Sequence, residues 1–335
     1  MEPDPSNGLL DLAYAHVLSQ ALAVVARLRI ADRLESGGRS MQDLARVVEA
    51  QAGPLARVMG LLASRGIFME QGGLWKNTPT SEALIGDDSI RDAVALAGHP
   101  IFWNSVGRLG DSVRTGQSGF DAVFGCAFFD YLAKDADARE VFNAGMHRTS
   151  VAENAAISRG YDFGRFGSVA DVGGGRGGFL LEILRHHPRT RGVLFDSREV
   201  VEEACVLVGE IPAERYQVVP GNFFESVPIR ADAILLKRVL HDWSDEQCIR
   251  ILSNCAKSMR PGDGLIVFDA ILEPGGDPAG KKISDVLLLT LLPGRERTLE
   301  DFRRIFDAAG LRLTGVHPTG IGLLAIEGHL RSIEE

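Results

Sequence analysis

Two kinds of hydrophobic periodicity divide the chain into an amino-terminal and a carboxyl-terminal part. Up to about residue 100, apolar residues recur at the three- and four-residue spacing of amphipathic helices. A helix is predicted over residues 9–34, a second one begins after Ser40, and a third begins near Pro54. A Gly-Gly pair between short apolar segments predicts a hairpin at 67–76. Three helices followed by a small hairpin are typical of a winged helix.

From about residue 160 onward, strand patterns alternate with helix patterns. This alternation favours a parallel sheet covered by helices on both faces, in which ligands bind at the carboxyl ends of the strands. The predicted helices cover 178–187 and 245–259. The predicted strands cover 168–172, 192–196, 216–219, 233–237, 265–269, 311–316 and 322–327.

The segment between these parts is predicted to be helical and is rich in aromatic side chains. Aromatic residues at helical spacing usually pack in a core, but they also line pockets for flat ligands, so both interpretations stay open. The aromatic residues are Phe102, Trp103, Phe120, Phe124, Phe128, Phe129, Tyr131 and Phe142. We therefore expect three regions, at residues 1–100, 101–160 and 161–335.

Charge and composition narrow the class of partner. A length of 335 residues favours more than one domain, and a net charge of −9 repels phosphate backbones. Residues 22–66 hold seven Arg against four acidic residues, with no basic cluster on the third helix. Nucleic acid is therefore not the expected partner. The apolar run at 21–26 is expected to form a dimer interface instead.

Neither a secretory signal nor an apolar segment of membrane-spanning length is visible, so we expect a cytoplasmic protein that does not contact membranes. The cysteines lack the spacing of metal ligands and are expected to be reduced packing residues. They are Cys126, Cys205, Cys248 and Cys255.

A glycine-rich segment follows the first strand of the carboxyl-terminal part. Residues 171–178 read Asp-Val-Gly-Gly-Gly-Arg-Gly-Gly. Glycines let the backbone turn sharply and let a ligand lie against it. Asp196, at the end of the next predicted strand, can accept both hydrogens of a ribose diol. Together they predict an adenosine-containing ligand, but NAD and S-adenosylmethionine fit equally well.

A histidine follows the fourth predicted strand. His241 stands in Leu-His-Asp-Trp-Ser-Asp-Glu, residues 240–246, and is expected at the carboxyl edge of the sheet on the ligand side. This segment, the glycine segment and Pro-Gly-Arg-Glu-Arg-Thr at 293–298 occur in this order and at similar spacing in one enzyme family. Over nearly its whole length the chain resembles the small-molecule O-methyltransferases of the plant caffeate and flavonoid type and their bacterial natural-product relatives.

The resemblance implies an α/β fold, with a Rossmann-like, seven-stranded class I methyltransferase domain preceded by a largely helical winged-helix domain that forms a homodimer. It implies S-adenosylmethionine as the cofactor, S-adenosylhomocysteine as its product, and no metal. The middle helices, residues 101–160, would line a pocket for an aromatic small molecule.

The resemblance also assigns roles to single positions. His241 matches the general base, and Asp269 and Glu296 match the two acids that flank it. The cofactor-binding positions are Gly173, Gly174, Gly175, Asp196, Asn222, Phe223, Lys237 and Ser150. The expected substrate-pocket positions are Phe102, Trp103, Phe142, Met146 and Asp242. Two residues depart from the family pattern: Asn222 replaces an acid near the adenine, and Asp269 is one methylene shorter than the usual glutamate.

These features predict methylation of a hydroxyl group on a phenol, polyketide ring or phenazine. A phenol with a pKa of about 10 is mostly protonated at neutral pH, and a histidine with a pKa near 6.5 can remove its proton. The first alternative is a non-methylating relative that keeps the cofactor. An NAD-dependent oxidoreductase is disfavoured by the late position of the glycine segment, and a winged-helix regulator by the missing basic recognition helix.

Overall fold

The computed structural model describes residues 5–203, 206–273, 275–276 and 279–331. The chain forms two compact units, one from the described residues of 1–104 and 134–149, the other from those of 105–133 and 150–335. Residues 101–160 are thus divided between the two units. Cys205 lies outside the described residues, whereas Cys248 and Cys255 are buried free thiols, as predicted. Among the described residues, no helix has the length and hydropathy needed to cross a membrane.

The first unit is mainly helical. Its core contains Leu44, Met59, Leu62 and Phe68. Its elements are α1 (Pro5–Ala13), α2 (Ala15–Arg27), α3 (Ile30–Leu34), α4 (Met41–Val47), α5 (Ala52–Ala63), β1 (Phe68–Gln71), β2 (Leu74–Asn77), α6 (Pro79–Glu82) and α7 (Arg91–Ala97).

Some of the local predictions for this unit are confirmed, and one is wrong. The Ser40 hydroxyl accepts the Asp43 N–H at 3.1 Å and begins α4, as predicted. The hairpin is confirmed, and its two turn glycines have positive φ. The single helix predicted at 9–34 is wrong, because the backbone leaves helical geometry at Tyr14 and turns left-handed at Arg29 (φ 53°).

The apolar run at 21–26, which we expect to form a dimer interface, is mostly buried within the chain itself, while Leu22 and Val24 are half-buried. Its part in a dimer remains a prediction. Ala21, Ala23, Val25 and Ala26 are buried within this unit. A Cβ on Gly98 would lie 2.3 Å from Ala23 Cβ, so α2 packs tightly against its own unit. Five large apolar residues on α1 and the start of α2 are exposed. They are Leu9, Leu10, Leu12, Tyr14 and Val17.

The second unit is an α/β sandwich. Helices α8 (Pro100–Val106), α11 (Phe128–Lys134) and α12 (Ala136–Gly160) carry residues of both units. The remaining elements are α9 (Leu109–Thr115), α10 (Gly119–Phe124), β3 (Ser168–Val172), α13 (Gly178–His186), β4 (Arg191–Asp196), α14 (Arg198–Glu203), β5 (Tyr216–Pro220), β6 (Ala233–Lys237), α15 (Asp245–Ala256), β7 (Gly264–Asp269), α16 (Ala279–Leu291), α17 (Leu299–Ala308), β8 (Leu311–Pro318) and β9 (Leu324–Leu330).

The sheet confirms the predicted seven-stranded α/β architecture. Its strand order is β5-β4-β3-β6-β7-β9-β8. Strands β3 to β7 are parallel, and β9 runs antiparallel to both β7 and β8. The last strand begins two residues later than predicted, at Leu324, because a turn with a left-handed Gly320 precedes it. The strand order reverses between β3 and β6, which opens a crevice at their carboxyl ends.

Alternating residues of the buried strands pack on opposite faces of the sheet. Val169 packs with Leu180 and Ile183 of α13, whereas Ala170 belongs to a core shared with Ile251 of α15 and Phe302 of α17. The site side chains therefore stand on a sheet that is held rigidly on both faces.

Aromatic residues of α10 and α11 form a compact cluster. Phe120 and Phe128 are buried, and the Phe120 ring stacks on Phe124 with centroids 4.3 Å apart. Phe129 stacks on Trp243, the second residue after His241, at 5.3 Å. The core interpretation therefore holds for Phe120 and Phe128.

Candidate active site

The glycine segment lies between β3 and α13, where the strand order reverses. Gly173, Gly175 and Gly177 have positive φ, the region that favours glycine. A Cβ on Gly173 would lie 2.8 Å from Val239 Cγ2, whereas one on Gly175 would meet nothing within 4 Å. The loop is thus tightly packed at its first glycine and open at its third, as a loop that receives a ligand against its backbone would be.

Two carboxylates flank this loop. Asp196 ends β4, and its two oxygens accept the N–H groups of Gly175 (2.8 Å) and Ser197 (2.7 Å). Each oxygen keeps a lone pair for a further donor. Asp171 in β3 is buried, and its Oδ2 has no hydrogen-bond partner in the described part of the chain. Burial raises the pKa of Asp171 to about 7. Buried polar atoms normally have a hydrogen-bond partner. Asp171 Oδ2, beside the open glycine loop, could therefore accept a hydrogen bond from a positively charged group of a ligand, such as an amino-acid ammonium group.

The positions expected near an adenine follow β5. Asn222 is exposed, and its Oδ1 already accepts the Phe224 N–H at 2.9 Å, which leaves one lone pair for a ligand. Phe223 is half-buried, and its ring lies 6.0 Å from the Trp243 ring in an edge-to-face arrangement. Phe223 thus provides an apolar surface between the glycine loop and the segment that carries His241.

A buried cation ends β6. Lys237 Nζ lies 3.1 Å from Glu153 Oε2, and its side chain is only 6% exposed. Glu153 also binds the Arg238 guanidinium through both carboxylate oxygens, at 2.5 and 3.2 Å. Ser150, one helical turn before Glu153 on α12, is half-buried. Sequence reasoning missed Glu153 and Arg238, although the left-handed backbone at Arg238 (φ 54°) is typical of a functional position.

His241 lies in a 3₁₀ helix, Leu240–Asp242, which begins three residues after the end of β6. Its imidazole is buried; Nδ1 lies 3.4 Å from Glu296 Oε1 and Nε2 lies 3.3 Å from Asp242 Oδ1. Burial opposes the charged imidazole, but Asp242, Glu296 and Asp269 outweigh it and raise the pKa of His241 to about 9. Burial also raises the pKa of Asp242 to about 6, against the attraction of His241.

Glu296 is held from three sides. Its Oε1 accepts the Ser284 hydroxyl at 2.8 Å and faces His241, and its backbone N–H donates to Asp285 Oδ1 at 2.9 Å. Burial favours the neutral acid, but the hydrogen bonds from His241 and Ser284 lower the pKa of Glu296. A charged carboxylate therefore fixes the Nδ1 side of the imidazole.

Asp269 behaves differently from Glu296. It ends β7 and is fully buried, yet neither of its carboxylate oxygens has a hydrogen-bond partner in the described residues. Burial raises its pKa to about 7, while His241 opposes the shift through its charge. Asp269 therefore makes no hydrogen bond to His241, and Asp242 occupies the Nε2 side instead.

Arg297 joins the two segments that carry the catalytic candidates. Its side chain is 1% exposed and donates to the carbonyls of Leu240 (2.6 Å) and Trp243 (2.7 Å) and to Asp245 (2.9 Å). A Cβ on Gly294 would lie 2.0 Å from the His241 carbonyl oxygen. The motif at 293–298 contains both residues, but their role emerges only from the contact between its loop and the 3₁₀ helix.

Four expected pocket residues belong to the first unit. Phe102, Trp103, Phe142 and Met146 are half-buried there, whereas His241 and Asp242 belong to the second unit. Their role as pocket residues remains a prediction.

In the part of the chain that the structure describes, no group of three or more His, Cys, Asp or Glu side chains could hold a metal ion.

Comparisons with known proteins identify the family of this chain. The sequence profile of the O-methyltransferase domain matches residues 106–312, and that of the O-methyltransferase dimerisation domain matches residues 10–87. The chain is 35% identical to the phenazine O-methyltransferase PhzM of Lysobacter antibioticus, over 96% of this chain and 95% of that protein. It is 34% identical to the mitomycin biosynthesis 6-O-methyltransferase of Streptomyces lavendulae, over 92% and 89% of the two chains.

A solved structure extends the comparison to ligands. The chain resembles the O-methyltransferase NcsB1 from neocarzinostatin biosynthesis, crystallised with S-adenosylmethionine and 2-hydroxy-5-methyl naphthoic acid. The TM-score is 0.80 and the identity 28%, with 93% of this chain and 96% of NcsB1 covered. These relatives do not favour the non-methylating alternative. The chain belongs to the family of S-adenosylmethionine-dependent O-methyltransferases that carry an amino-terminal dimerisation domain.

Proposed function

We propose that this protein transfers a methyl group from S-adenosylmethionine to a hydroxyl group of an aromatic or polycyclic natural product, with His241 as the general base. The observation that carries this proposal is the buried imidazole of His241, whose Nδ1 faces the fixed carboxylate of Glu296 at the same sheet edge as the glycine loop.

His241 would remove the proton of the acceptor hydroxyl. When Nδ1–H donates to Glu296, Nε2 carries the lone pair that can take the proton, and the charge of Glu296 stabilises the resulting imidazolium. Asp242 Oδ1, 3.3 Å from Nε2, marks the side on which the hydroxyl would be presented. Such a base typically contributes about 10²–10⁴-fold to the rate.

The cofactor would be held by Gly173–Gly175, Asp171 and Asp196, with Phe223 and Asn222 beside its base. When bound, it supplies an electrophilic methyl group. The protein supplies orientation: the open backbone at Gly175 admits the ligand, and the remaining lone pairs of Asp196 suit a ribose diol. The buried Lys237–Glu153 pair fixes the end of β6 next to this site.

The acceptor would be flat and largely apolar. Phe129 and Phe223 pack on Trp243, the second residue after His241, and give this edge of the sheet an aromatic surface. PhzM is named as a phenazine O-methyltransferase, and NcsB1 was crystallised with a naphthoic acid, which supports an aromatic acceptor here.

The active protein would be a homodimer. Leu9, Leu10, Leu12, Tyr14 and Val17 form an exposed apolar surface on α1 and the start of α2. This surface lies at the start of the region that matches the dimerisation domain. A second copy of the chain is the occupant that we propose for it.

The test combines binding with product analysis. Calorimetry should show saturable binding of S-adenosylmethionine, and incubation with a panel of hydroxylated naphthoates, phenazines and benzoates should yield at least one product heavier by one methylene unit. Absence of cofactor binding would end the proposal. Cofactor binding followed by a product with no added methylene would indicate different chemistry on the same fold.

A further inference from the structure

Ser284 is the feature of this site that neither the motifs nor the family positions explain. It lies on α16 and is half-buried, and its hydroxyl donates to Glu296 Oε1 at 2.8 Å. The same oxygen faces His241 Nδ1 at 3.4 Å and Arg238 Nη1 at 4.0 Å, whereas Glu296 Oε2 has no partner in the described residues. One carboxylate oxygen thus serves the serine, the imidazole and the guanidinium.

Glu296 Oε1 matters because no other carboxylate forms a hydrogen bond with His241 Nδ1 in the described residues. Asp269, the other acid expected beside the imidazole, makes no hydrogen bond to it. Glu296 is therefore the acid that fixes Nδ1, and whatever competes for its Oε1 weakens its hold on the imidazole proton.

We infer that Ser284 is a positioning residue that lowers the proton affinity of His241 through Glu296, so that more of the imidazole is neutral at working pH. This inference rests on the proposed role of His241 as the base. The other charges that face the imidazole are Asp242 on Nε2, Asp269 at the end of β7, and Arg238 beside Glu296. None of them changes when the serine hydroxyl is removed.

The decisive experiment is an NMR titration of the His241 imidazole, assigned with His241→Gln, in the wild type and in Ser284→Ala. Without the competing hydroxyl, Glu296 Oε1 holds the imidazole proton more strongly, and we expect the pKa of His241 to rise by roughly 0.5–1 unit. Ser284→Thr keeps a hydroxyl and should restore the wild-type value. Gly280→Ala, an exposed position on the same helix whose Cβ would meet nothing within 4 Å, is the matched control and should leave it unchanged.

The rate of methyl transfer gives a second readout. In Ser284→Ala the acidic limb of kcat/KM should move to higher pH by the same amount, which lowers kcat/KM about 3–10-fold below the limb and leaves the high-pH plateau unchanged. A purely structural role would lower the rate at every pH. An unchanged or lowered pKa of His241 in Ser284→Ala would overturn the inference. The titration requires no turnover, so its result stands apart from any failure of the proposed methyl transfer.

Discussion

The imidazole of His241 is surrounded by more negative charge than the motif alone suggests. Three acids lie near it, but they act differently: Glu296 is charged and fixed, Asp242 faces Nε2, and Asp269 is buried without a hydrogen bond. The sequence could predict His241 and Glu296, because motif and strand position place them at the ligand edge. It could not predict which acid reaches the imidazole, because that depends on how the end of β7, the 3₁₀ helix and the loop at 293–298 meet in the folded chain.

Asp269 should make stability depend on pH. Burial raises its pKa from 3.8 to about 7, so between these values the folded protein binds a proton that the unfolded chain releases. Stability attributable to this group is therefore lost as pH rises from about 4 toward 7. Asp269→Asn removes the ionisation, and urea unfolding should show a gain of about 1–3 kcal/mol at pH 8.

The gain from Asp269→Asn should shrink toward zero at about pH 3, below both pKa values, where the wild-type carboxyl is protonated in the folded and the unfolded state. An equal gain at both pH values would contradict the assignment. Asp137→Asn, at an exposed position on α12, is a control for the loss of one carboxylate.

Arg297 is the second residue whose role the sequence could not show, because three contacts of its guanidinium depend on how two distant segments meet. Arg297→Lys keeps the charge but loses the planar fork that reaches Leu240, Trp243 and Asp245 together. We expect a loss of about 2–4 kcal/mol in the free energy of unfolding. A fall in kcat of roughly tenfold or more should accompany it, because the 3₁₀ helix carrying His241 loosens.

Arg303→Lys is the matched control, since Arg303 is an exposed arginine on α17 paired only at the surface with Glu300. Denaturant unfolding and steady-state kinetics would measure both variants. If both variants changed the free energy of unfolding and kcat by the same amount, Arg297 would not be needed to position the 3₁₀ helix.

At the scale of elements, capping and turn chemistry fix where the site segments begin. Ser244 begins α15 and Thr298 begins α17, each in a reciprocal capping box. The buried strands were predictable because unbroken apolar runs identify parallel strands. The break of the predicted first helix was not, since nothing local marks the left-handed backbone at Arg29.

The loop at 293–298 reaches the 3₁₀ helix only because residue 294 has no side chain. In Gly294→Ala the new Cβ would lie 2.0 Å from the His241 carbonyl oxygen and 2.6 Å from the Trp243 nitrogen, so the two backbones must separate. We expect kcat to fall at least about tenfold while the affinity for S-adenosylhomocysteine, which the glycine loop would bind, stays near the wild-type value.

Gly60→Ala serves as the control, because Gly60 lies in α5 of the first unit and its Cβ would meet nothing within 4 Å. Kinetics and calorimetry separate the two effects. A wild-type kcat for Gly294→Ala would show that the loop does not position the base.

At the scale of the whole molecule, burial decides which apolar surface is available to a second copy. Helical periodicity indicates residues 21–26, but the folded chain buries four of these six side chains within its own first unit. Leu12→Asp, at a position that is 73% exposed, should shift the protein from dimer to monomer in light scattering at micromolar concentration. Val208→Asp, equally exposed at 70% in the second unit, should leave the dimer intact. A dimeric Leu12→Asp protein would contradict the proposed interface.

The most direct test of methyl transfer with His241 as the base is a single-turnover measurement on His241→Gln with S-adenosylmethionine and an aromatic acceptor that the wild type methylates. Mass spectrometry follows the methylated product, and calorimetry with S-adenosylhomocysteine checks that the cofactor site is intact. We expect wild-type cofactor affinity and a rate lower by about 10²–10⁴-fold. A His241→Gln protein that methylates at the wild-type rate would contradict it.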